Sequence, residues 1–366
     1  MISIRRRIAN LNVVIEGPVS QFLARLDREL AIYPPAQQEV DILIHFGFED
    51  TGRVLANNPA IHREFEDGFA ADFGPALVRW HWGTSPVRVT WISPSQERSW
   101  RQKLRNIQYT HPYEQVGQVF FELVLIPTLQ LFYHQHLLLL HGSALADNKT
   151  GAAMIFGGTG GVGKTSLELS MAGHGYDFMA DDICLVDADG ILHANFAWPK
   201  IYGYNTLNDK NIRERIFQNR SGMDKLFWGL RMRRLGGGKV RRRVDPAGFF
   251  NGAVRQQARL QTYYILFRDD GDTLSVRPIQ AEDAVEMSLN ILNAEYTILY
   301  RHLFWHQANR IGLSQEPFVT QAHLFESWRK LGLNILKDVK SYLVHVPMNT
   351  SATDLRAHFQ QWVKMQ

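Results

Sequence analysis

A glycine-rich segment near the middle of the chain limits the fold more than any other feature. Residues 156–165 read FGGTGGVGKT and contain the phosphate-binding loop pattern Gly158-x-x-x-x-Gly163-Lys164-Thr165. An apolar run of strand length, residues 152–156, precedes this loop, and a helical pattern follows at 166–172. Because a functional loop of this kind lies between a strand and a helix, the context favours a real phosphate site.

The residue types of the loop suit the binding of phosphate groups. Glycine lets main-chain N–H groups converge on an anion, because it has no Cβ and adopts positive φ at little cost. The N-terminus of the following helix adds a partial positive charge. A glycine-rich turn without a ligand is the alternative. We predict that nucleotide phosphates lie along eight residues: Gly158, Thr159, Gly160, Gly161, Val162, Gly163, Lys164 and Thr165.

Two adjacent carboxylates follow the loop at a short distance. Asp181 and Asp182 lie between a short strand that begins near Tyr176 and the apolar run 183–186. Side chains of neighbouring strand residues point to opposite faces of a sheet. One carboxylate can therefore face Mg²⁺ or a hydroxyl group, while the other turns to a neighbouring element.

Together these motifs resemble the catalytic core of the HPr kinase/phosphorylase family. The matching segments, in chain order and within about residues 136–200, are His141-Gly142, the loop, Gly173-His174-Gly175 and Ala180-Asp181-Asp182. The resemblance implies an α/β fold with a P-loop kinase core of the HPr kinase/phosphoenolpyruvate carboxykinase type. It also implies phosphorylation of a serine hydroxyl with ATP or pyrophosphate. Related members phosphorylate free serine or modified peptides.

The chain departs from the family in three places. It has Thr159-Gly160 where an acidic residue and serine are usual, and no Gly- and Arg-rich segment is recognisable after Ala197. The sequence before residue 136 does not resemble the family's N-terminal domain. The resemblance therefore supports the kinase core, but it supports neither the HPr substrate nor the phosphorylase activity.

The residues and the resemblance together predict roles for the site. Lys164 would bind β- and γ-phosphate oxygens, and Thr165 with Asp182 would complete an Mg²⁺ site. Asp181 would orient the acceptor hydroxyl and accept its proton. By resemblance, His141 would lie beside the phosphates.

These roles predict an ATP- and Mg²⁺-dependent kinase that phosphorylates a hydroxyl group, with serine favoured, of a peptide, protein or small molecule. GTP and pyrophosphate stay open as donors. A nucleotide-binding regulatory or partner-binding protein with little kinase activity is the alternative, and the two readings differ in whether Asp181→Asn abolishes phosphoryl transfer.

Composition sets broader limits. The 366 residues carry a formal net charge of +4 and a single cysteine, Cys184, which excludes an internal disulfide. The apolar run 137–140 is far too short to span a bilayer. We predict a cytoplasmic protein that binds neither nucleic acid nor membranes, with homo-oligomerisation left open.

Periodicity divides the chain into four predicted parts. Residues 1–110 form an α+β module, 111–137 a bridging helix kinked at Pro127, 138–285 the nucleotide-binding core, and 286–366 a C-terminal helical/β extension. In the first part we predict strands at 12–15 and 40–46, a helix at 19–32 and a hairpin at 77–92, whose tryptophans favour packing over ligand stacking. Core strands are predicted at 138–145, 152–157, 177–180 and 183–187, and a helix at 281–305.

Two further features carry less specific signals. A basic loop at 230–243 surrounds three glycines, and it reads as a mobile lid over phosphates, a docking patch for an acidic peptide, or a solvated loop. His302 and His306 have a metal-compatible i,i+4 spacing, but no third ligand is visible, so a packed or exposed pair is favoured. Lys200 is a candidate phosphate or substrate contact, with a solvated lysine as the alternative.

Overall fold

The computed structural model describes residues 1–48, 52–58, 61–92, 115–207, 209–218 and 220–365. It is a mixed α/β protein with two eight-stranded sheets. The first sheet has the order β1-β2-β3-β8-β7-β6-β5-β4, in which β2, β3 and β8 run parallel. Its strands are β1 (Ile2–Ile8), β2 (Leu11–Gly17), β3 (Ile42–Phe46), β4 (Val54–Asn58), β5 (His62–Phe65), β6 (Gly68–Asp72), β7 (Leu77–His81) and β8 (Val87–Ile92).

Helix α1 (Gln21–Leu30) connects β2 to β3, and Ser20 caps its N-terminus. The strands, helix and hairpin predicted here are confirmed, because alternating strand residues and the helical spacing of Leu23, Leu26 and Leu30 face one core. Trp80 and Trp91 are fully buried, so these two tryptophans pack inside the protein as predicted.

A helical segment with an irregular middle follows the first sheet. It consists of α2 (Val116–Val119), a π-helical turn (Phe120–Leu125) and α3 (Ile126–Phe132). The wider turn comes just before Pro127, which has no N–H to donate. Residues 111–114 of the predicted bridging helix, and 93–110 of the predicted first module, lie outside the described residues.

The second sheet holds the candidate site. Its strand order is β10-β9-β12-β13-β16-β18-β17, with β11 paired to β9 and β10 also paired to β16. The four predicted core strands are confirmed as β9 to β12. The strands are β9 (Leu137–Asp147), β10 (Ala152–Gly157), β11 (Tyr176–Ala180), β12 (Ile183–Asp187), β13 (Ile191–His193), β16 (Gln257–Asp269), β17 (Ser275–Pro278) and β18 (Lys340–Pro347).

Helices cover this sheet. Helix α4 (Lys164–Met171) follows the glycine loop, and later helices are α8 (Ala281–Glu295), α9 (Thr297–Gly312), α10 (Gln321–Leu336) and α11 (Ala352–Met365). The single helix predicted at 281–305 is wrong, because the chain forms two helices that meet at Tyr296. Strand β18 pairs in parallel with β16, so the second sheet takes strands from both sides of the boundary predicted at residue 285.

The segment between β13 and β16 forms a small helical layer. It contains β14 (Lys200–Tyr202), a 3-10 turn (Gly203–Thr206), α5 (Lys210–Ile216), α6 (Gly222–Leu235), β15 (Arg241–Arg243) and α7 (Pro246–Phe249). The basic loop predicted at 230–243 is wrong as a loop. Residues 230–235 complete α6, Gly236 ends the helix at φ 77°, and 241–243 pair with β14.

Two arginines of that segment are buried in ion pairs. Arg242 Nη2 lies 2.6 Å from Asp224 Oδ1, and Arg243 Nη2 lies 2.9 Å from Glu29 Oε2 on α1. These two side chains therefore fix β15 against α6 and the first module, and they do not belong to a lid.

Candidate functional site

The glycine loop lies between β10 and α4, in the context that the sequence predicts. Gly158 and Gly163 have φ of 130° and 117°, values that side chains rarely tolerate. A Cβ on Gly158 would lie 2.6 Å from the carbonyl oxygen of Leu266. The course of the loop therefore depends on glycine at these two positions.

Lys164 bends back over the loop. Its Nζ donates hydrogen bonds to the carbonyl oxygens of Gly158, at 2.6 Å, and Thr159, at 2.9 Å. The side chain is buried, and burial lowers the pKa of the ammonium, whereas nearby Asp182 and Asp181 oppose that shift. A cation is thus held at the loop by two neutral acceptors.

Asp181 faces α4 and β9. Its Oδ1 accepts hydrogen bonds from Thr165 Oγ1, at 3.2 Å, and from Ser143 Oγ, at 2.9 Å. The carboxylate is buried, and burial with the neighbouring charge of Asp182 raises its pKa. Ser143 escaped sequence reasoning, although it lies two residues from His141 on β9 and hence on the same face of that strand.

Asp182 faces the other way. Its backbone is left-handed, with φ 81°, and its Oδ2 accepts a hydrogen bond from Lys200 Nζ at 3.0 Å. Burial would raise the pKa of this carboxyl, but Lys200, His141 and Lys164 outweigh burial and lower it to about 2. The side chain is 41% exposed, so this ionised carboxylate is accessible from solvent.

His141 lies between two carboxylates. Its Nδ1 is 3.7 Å from Asp182 Oδ1, and its Nε2 is 3.9 Å from Glu295 Oε1. Burial and the charge of Lys164 lower the pKa of this imidazole. The same Glu295 oxygen accepts a hydrogen bond from the loop amide of Gly160, at 3.0 Å. Glu295 ends α8, more than a hundred residues beyond the loop, and no sequence signal pointed to it.

Lys200 links the site to the π-helical turn. It forms ion pairs with Asp182 and with Glu122, which lies on that turn. Although burial opposes the charge, the two carboxylates raise the pKa of Lys200. Lys200 therefore contacts carboxylates here. A narrow cleft beside it, with a volume of about 20 Å³, has room for about one water molecule.

The structure thus brings Lys164, Thr165, Asp181, Asp182 and His141 together at one end of the second sheet. Within the part of the chain that the structure describes, no three His, Cys, Asp or Glu side chains are arranged to hold a metal ion. The described helices include none that is long and apolar enough to cross a membrane.

The second histidine pair lies elsewhere. His302 and His306 are fully buried on α9, and they contact His62 and Glu64 of β5. The interpretation as a packed pair is confirmed.

Comparisons with known proteins give little beyond this geometry. No family model matches the chain, and no curated protein matches it. Among the solved structures that match is the Hpr(Ser) kinase/phosphatase from Coxiella burnetii, at 12% identity and a TM-score of 0.27. The match covers 61% of this chain and 97% of that one. At this TM-score the overlap does not establish a shared fold, and the family resemblance stays a prediction from the motifs.

Proposed function

We propose that this protein is an ATP-dependent kinase with a P-loop core of the HPr kinase type, which phosphorylates a hydroxyl group, with serine favoured. One observation carries the proposal. The Thr165 hydroxyl and the Asp181 carboxylate meet at 3.2 Å beside a glycine loop that also holds the Lys164 ammonium. This combination is what phosphoryl transfer requires, since its catalysis is mainly positioning and charge neutralisation.

The nucleotide phosphates would lie along Gly158–Thr165. Lys164 would exchange the carbonyl oxygens of Gly158 and Thr159 for β- and γ-phosphate oxygens. The loop amides, including that of Gly160, would donate to the same phosphates. ATP is the donor that we propose, and competition with GTP or pyrophosphate would test the choice.

The oxygens of Thr165 and Asp181 fit a magnesium ion. Mg²⁺ prefers hard oxygen donors and is usually held by one or two carboxylates together with phosphates and water. Mg²⁺, when bound, neutralises negative charge on the phosphate oxygens. The sequence predicts Asp182 as the partner of Thr165 in this site, whereas Asp181 is the carboxylate that accepts the Thr165 hydrogen bond, so we propose Asp181 as the metal ligand.

The sequence predicts Asp181 as the base for the acceptor hydroxyl, but with Asp181 proposed at the metal, that hydroxyl would meet Asp182. This carboxylate is more exposed than Asp181, and its lowered pKa keeps it ionised at neutral pH. It would orient the hydroxyl and accept its proton late in the transfer. Lys200 and His141 would hold the carboxylate in place, because both lie within 4 Å of its oxygens.

A nucleotide-sensing protein is the second candidate, and the contact between Glu295 and Gly160 favours it. A carboxylate on a loop amide must move when a phosphate takes its place, and this would couple the loop to the end of α8. Such a protein needs bound nucleotide but no transfer.

The test follows the label from γ-labelled ATP with Mg²⁺, using the full chain alone and with a cell extract. We expect label on one peptide, protein or small molecule. Asp182→Asn should cut the transfer about a hundredfold or more while nucleotide affinity is kept. Lys164→Ala should lose both, because its charge serves ground and transition states.

Lys330→Ala is the matched control. Lys330 is exposed on α10 and is not part of the candidate site, so the substitution should change neither the transfer of label nor the nucleotide affinity. ATP binding without any transfer of label would reject the kinase and leave the sensing protein. A protein that binds none of ATP, GTP and pyrophosphate would reject both.

A further inference from the structure

Helix α6 has apolar side chains on two faces. The inner face, which includes Trp228, packs against the rest of the chain, and Trp228 contacts Phe217. On the outer face Met223, Leu226 and Leu230 are 46%, 56% and 51% exposed. Their i, i+3, i+7 spacing puts them in one stripe along the helix. A stripe of this kind on an exposed helix marks a contact surface for another apolar face.

Cationic side chains continue this stripe. Arg233 and Arg234 extend it toward the end of α6, and Lys225, Lys239 and Arg241 of the same segment are also exposed. Residues 210–243 contain twelve lysines and arginines but only two acidic residues, whereas the whole chain carries +4. Arg242 and Arg243 are buried in ion pairs, but seven of the twelve cations are exposed, so this segment carries much of the positive charge at the surface.

Strand β15, which follows α6, connects this segment to the candidate site. Arg241 donates a hydrogen bond to Tyr202 Oη at 2.9 Å, and Tyr202 belongs to β14, which begins with Lys200 beside Asp182. The 3-10 turn after β14 also reaches α4, where Ser166 Oγ donates to Asn205 Oδ1 at 3.0 Å. The segment that carries the stripe is thus joined by hydrogen bonds to elements that hold residues of the candidate site.

We propose that the α6 surface, defined as Met223, Leu226, Leu230, Arg233 and Arg234, binds an acidic amphipathic helix of the protein that accepts the phosphoryl group. Apolar residues of that helix would cover the stripe, and its carboxylates would pair with the arginines. The identification of this helix with the acceptor rests on the proposed kinase function. The binding itself does not.

Charge and residue type decide between partners. A second copy of this chain would bring the same arginines face to face, and like charges oppose that contact. Single-stranded nucleic acid binds through aromatic side chains that stack on bases, whereas the stripe is aliphatic. An acidic helix with apolar residues satisfies both the stripe and its cationic border.

The test measures binding of a fluorescein-labelled helical peptide to the full-length protein without nucleotide. The peptide carries leucine at i, i+3 and i+7 and glutamate elsewhere, and its matched partner has lysine for glutamate. We expect the glutamate peptide to bind at least about tenfold more tightly, with affinity that falls as salt rises. The double variants Leu226→Ser/Leu230→Ser and Arg233→Glu/Arg234→Glu should each weaken it about tenfold.

The control is Phe304→Ser/Ile311→Ser, which removes apolar side chains that are 59% and 64% exposed on α9. It should leave peptide affinity unchanged. Equal binding of the two peptides, or no loss in the α6 variants, would overturn the proposal. So would an oligonucleotide that binds more tightly than the peptide and depends on the same residues, or a dimer that Leu226→Ser/Leu230→Ser dissociates.

The proposal and the kinase function fail separately. Peptide binding without transfer of label would reject the kinase only, and transfer without peptide binding would reject the α6 surface only.

Discussion

Two regions of this molecule combine histidine, carboxylate and a cation, yet they differ in what surrounds these groups. At the glycine loop, His141 is buried and Lys200 is half-buried, but the Asp182 carboxylate that both approach is 41% exposed. In the histidine cluster, which we define as His62, Glu64, His302, His306 and Arg310, four of the five side chains are essentially inaccessible to solvent and Arg310 is buried.

The polar side chains of the cluster hydrogen-bond to one another and to the neighbouring backbone. His306 Nε2 accepts from the N–H of Phe318, so its Nδ1 donates to Glu64, at 3.0 Å. The rings of Phe69, Trp82 and Phe318 pack against the same imidazole. Because these rings cover the His306 imidazole, no substrate can reach it, and its hydrogen bond to Glu64 joins α9 to β5. Residue type alone therefore does not separate a reactive site from a structural one.

The largest expected effect is on the stability of the cluster. Glu64→Ala removes the acceptor of His306 and His62 and leaves the buried Arg310, 3.9 Å away, without that carboxylate. We expect a loss of about 3 kcal/mol in the free energy of unfolding, because buried partners lose their hydrogen bonds. Urea denaturation followed by tryptophan fluorescence measures it.

Glu326→Ala, at an exposed position of α10, is the control for that variant. Nucleotide affinity should stay within about twofold of the unchanged protein in both variants. If the Glu64→Ala protein keeps full stability, the cluster does not join β5 to α9. The cluster could then no longer be contrasted with the glycine loop as a structural group.

Acid should also lower the free energy of unfolding through the cluster, by less than Glu64→Ala does. Burial, with Arg301 and Arg310 respectively, lowers the pKa of His302 to about 4 and of His306 to about 3. Unfolded histidine binds a proton below about pH 6.5. The stability that depends on neutral histidine is therefore fully present above pH 6.5 and falls as the pH drops toward 4, while the raised pKa of Glu64 offsets part of the loss.

Urea midpoints at pH 7, 6 and 5 check this dependence. His302→Gln should give a shallower slope, because one titrating group is gone. A slope that is unchanged in this variant would mean that other groups cause the loss in acid.

Local patterns predicted much of the fold and part of the site. Alternation and helical spacing located β2, β3 and β7 to β12, and the glycines located the loop between β10 and α4. The basic segment misled because a run of arginines does not reveal that Arg242 and Arg243 have the buried partners Asp224 and Glu29. These partners lie 18 and 214 residues away, and only tertiary packing brings them near.

The site shows the same limit. The sequence singled out Asp181 and Asp182 but not which of them contacts Thr165, since that depends on the left-handed backbone of Asp182. Glu122 and Glu295 carry no local signal, because each reaches the site from a helix that belongs to another part of the chain. Contacts of this kind cannot be read from periodicity.

The smallest expected effect concerns the carboxylate at the loop. Glu295 Oε1 holds the Gly160 amide at 3.0 Å, where we propose that a phosphate binds. Glu295→Gln keeps an oxygen acceptor but removes the negative charge that would repel a phosphate. We expect the affinity for Mg²⁺–ATP to rise about fivefold, or about 1 kcal/mol, in isothermal titration.

Glu295→Ala and Glu326→Gln sharpen the result. Glu295→Ala also removes the competing hydrogen-bond acceptor, so its affinity should rise at least as much, whereas Glu326→Gln should have no effect. A fall in affinity in both Glu295 variants would mean that this carboxylate supports the nucleotide and does not compete with it. The hydrogen bond between Glu295 and Gly160 would then persist when nucleotide binds. In that respect the loop would resemble the histidine cluster, whose hydrogen bonds no ligand replaces.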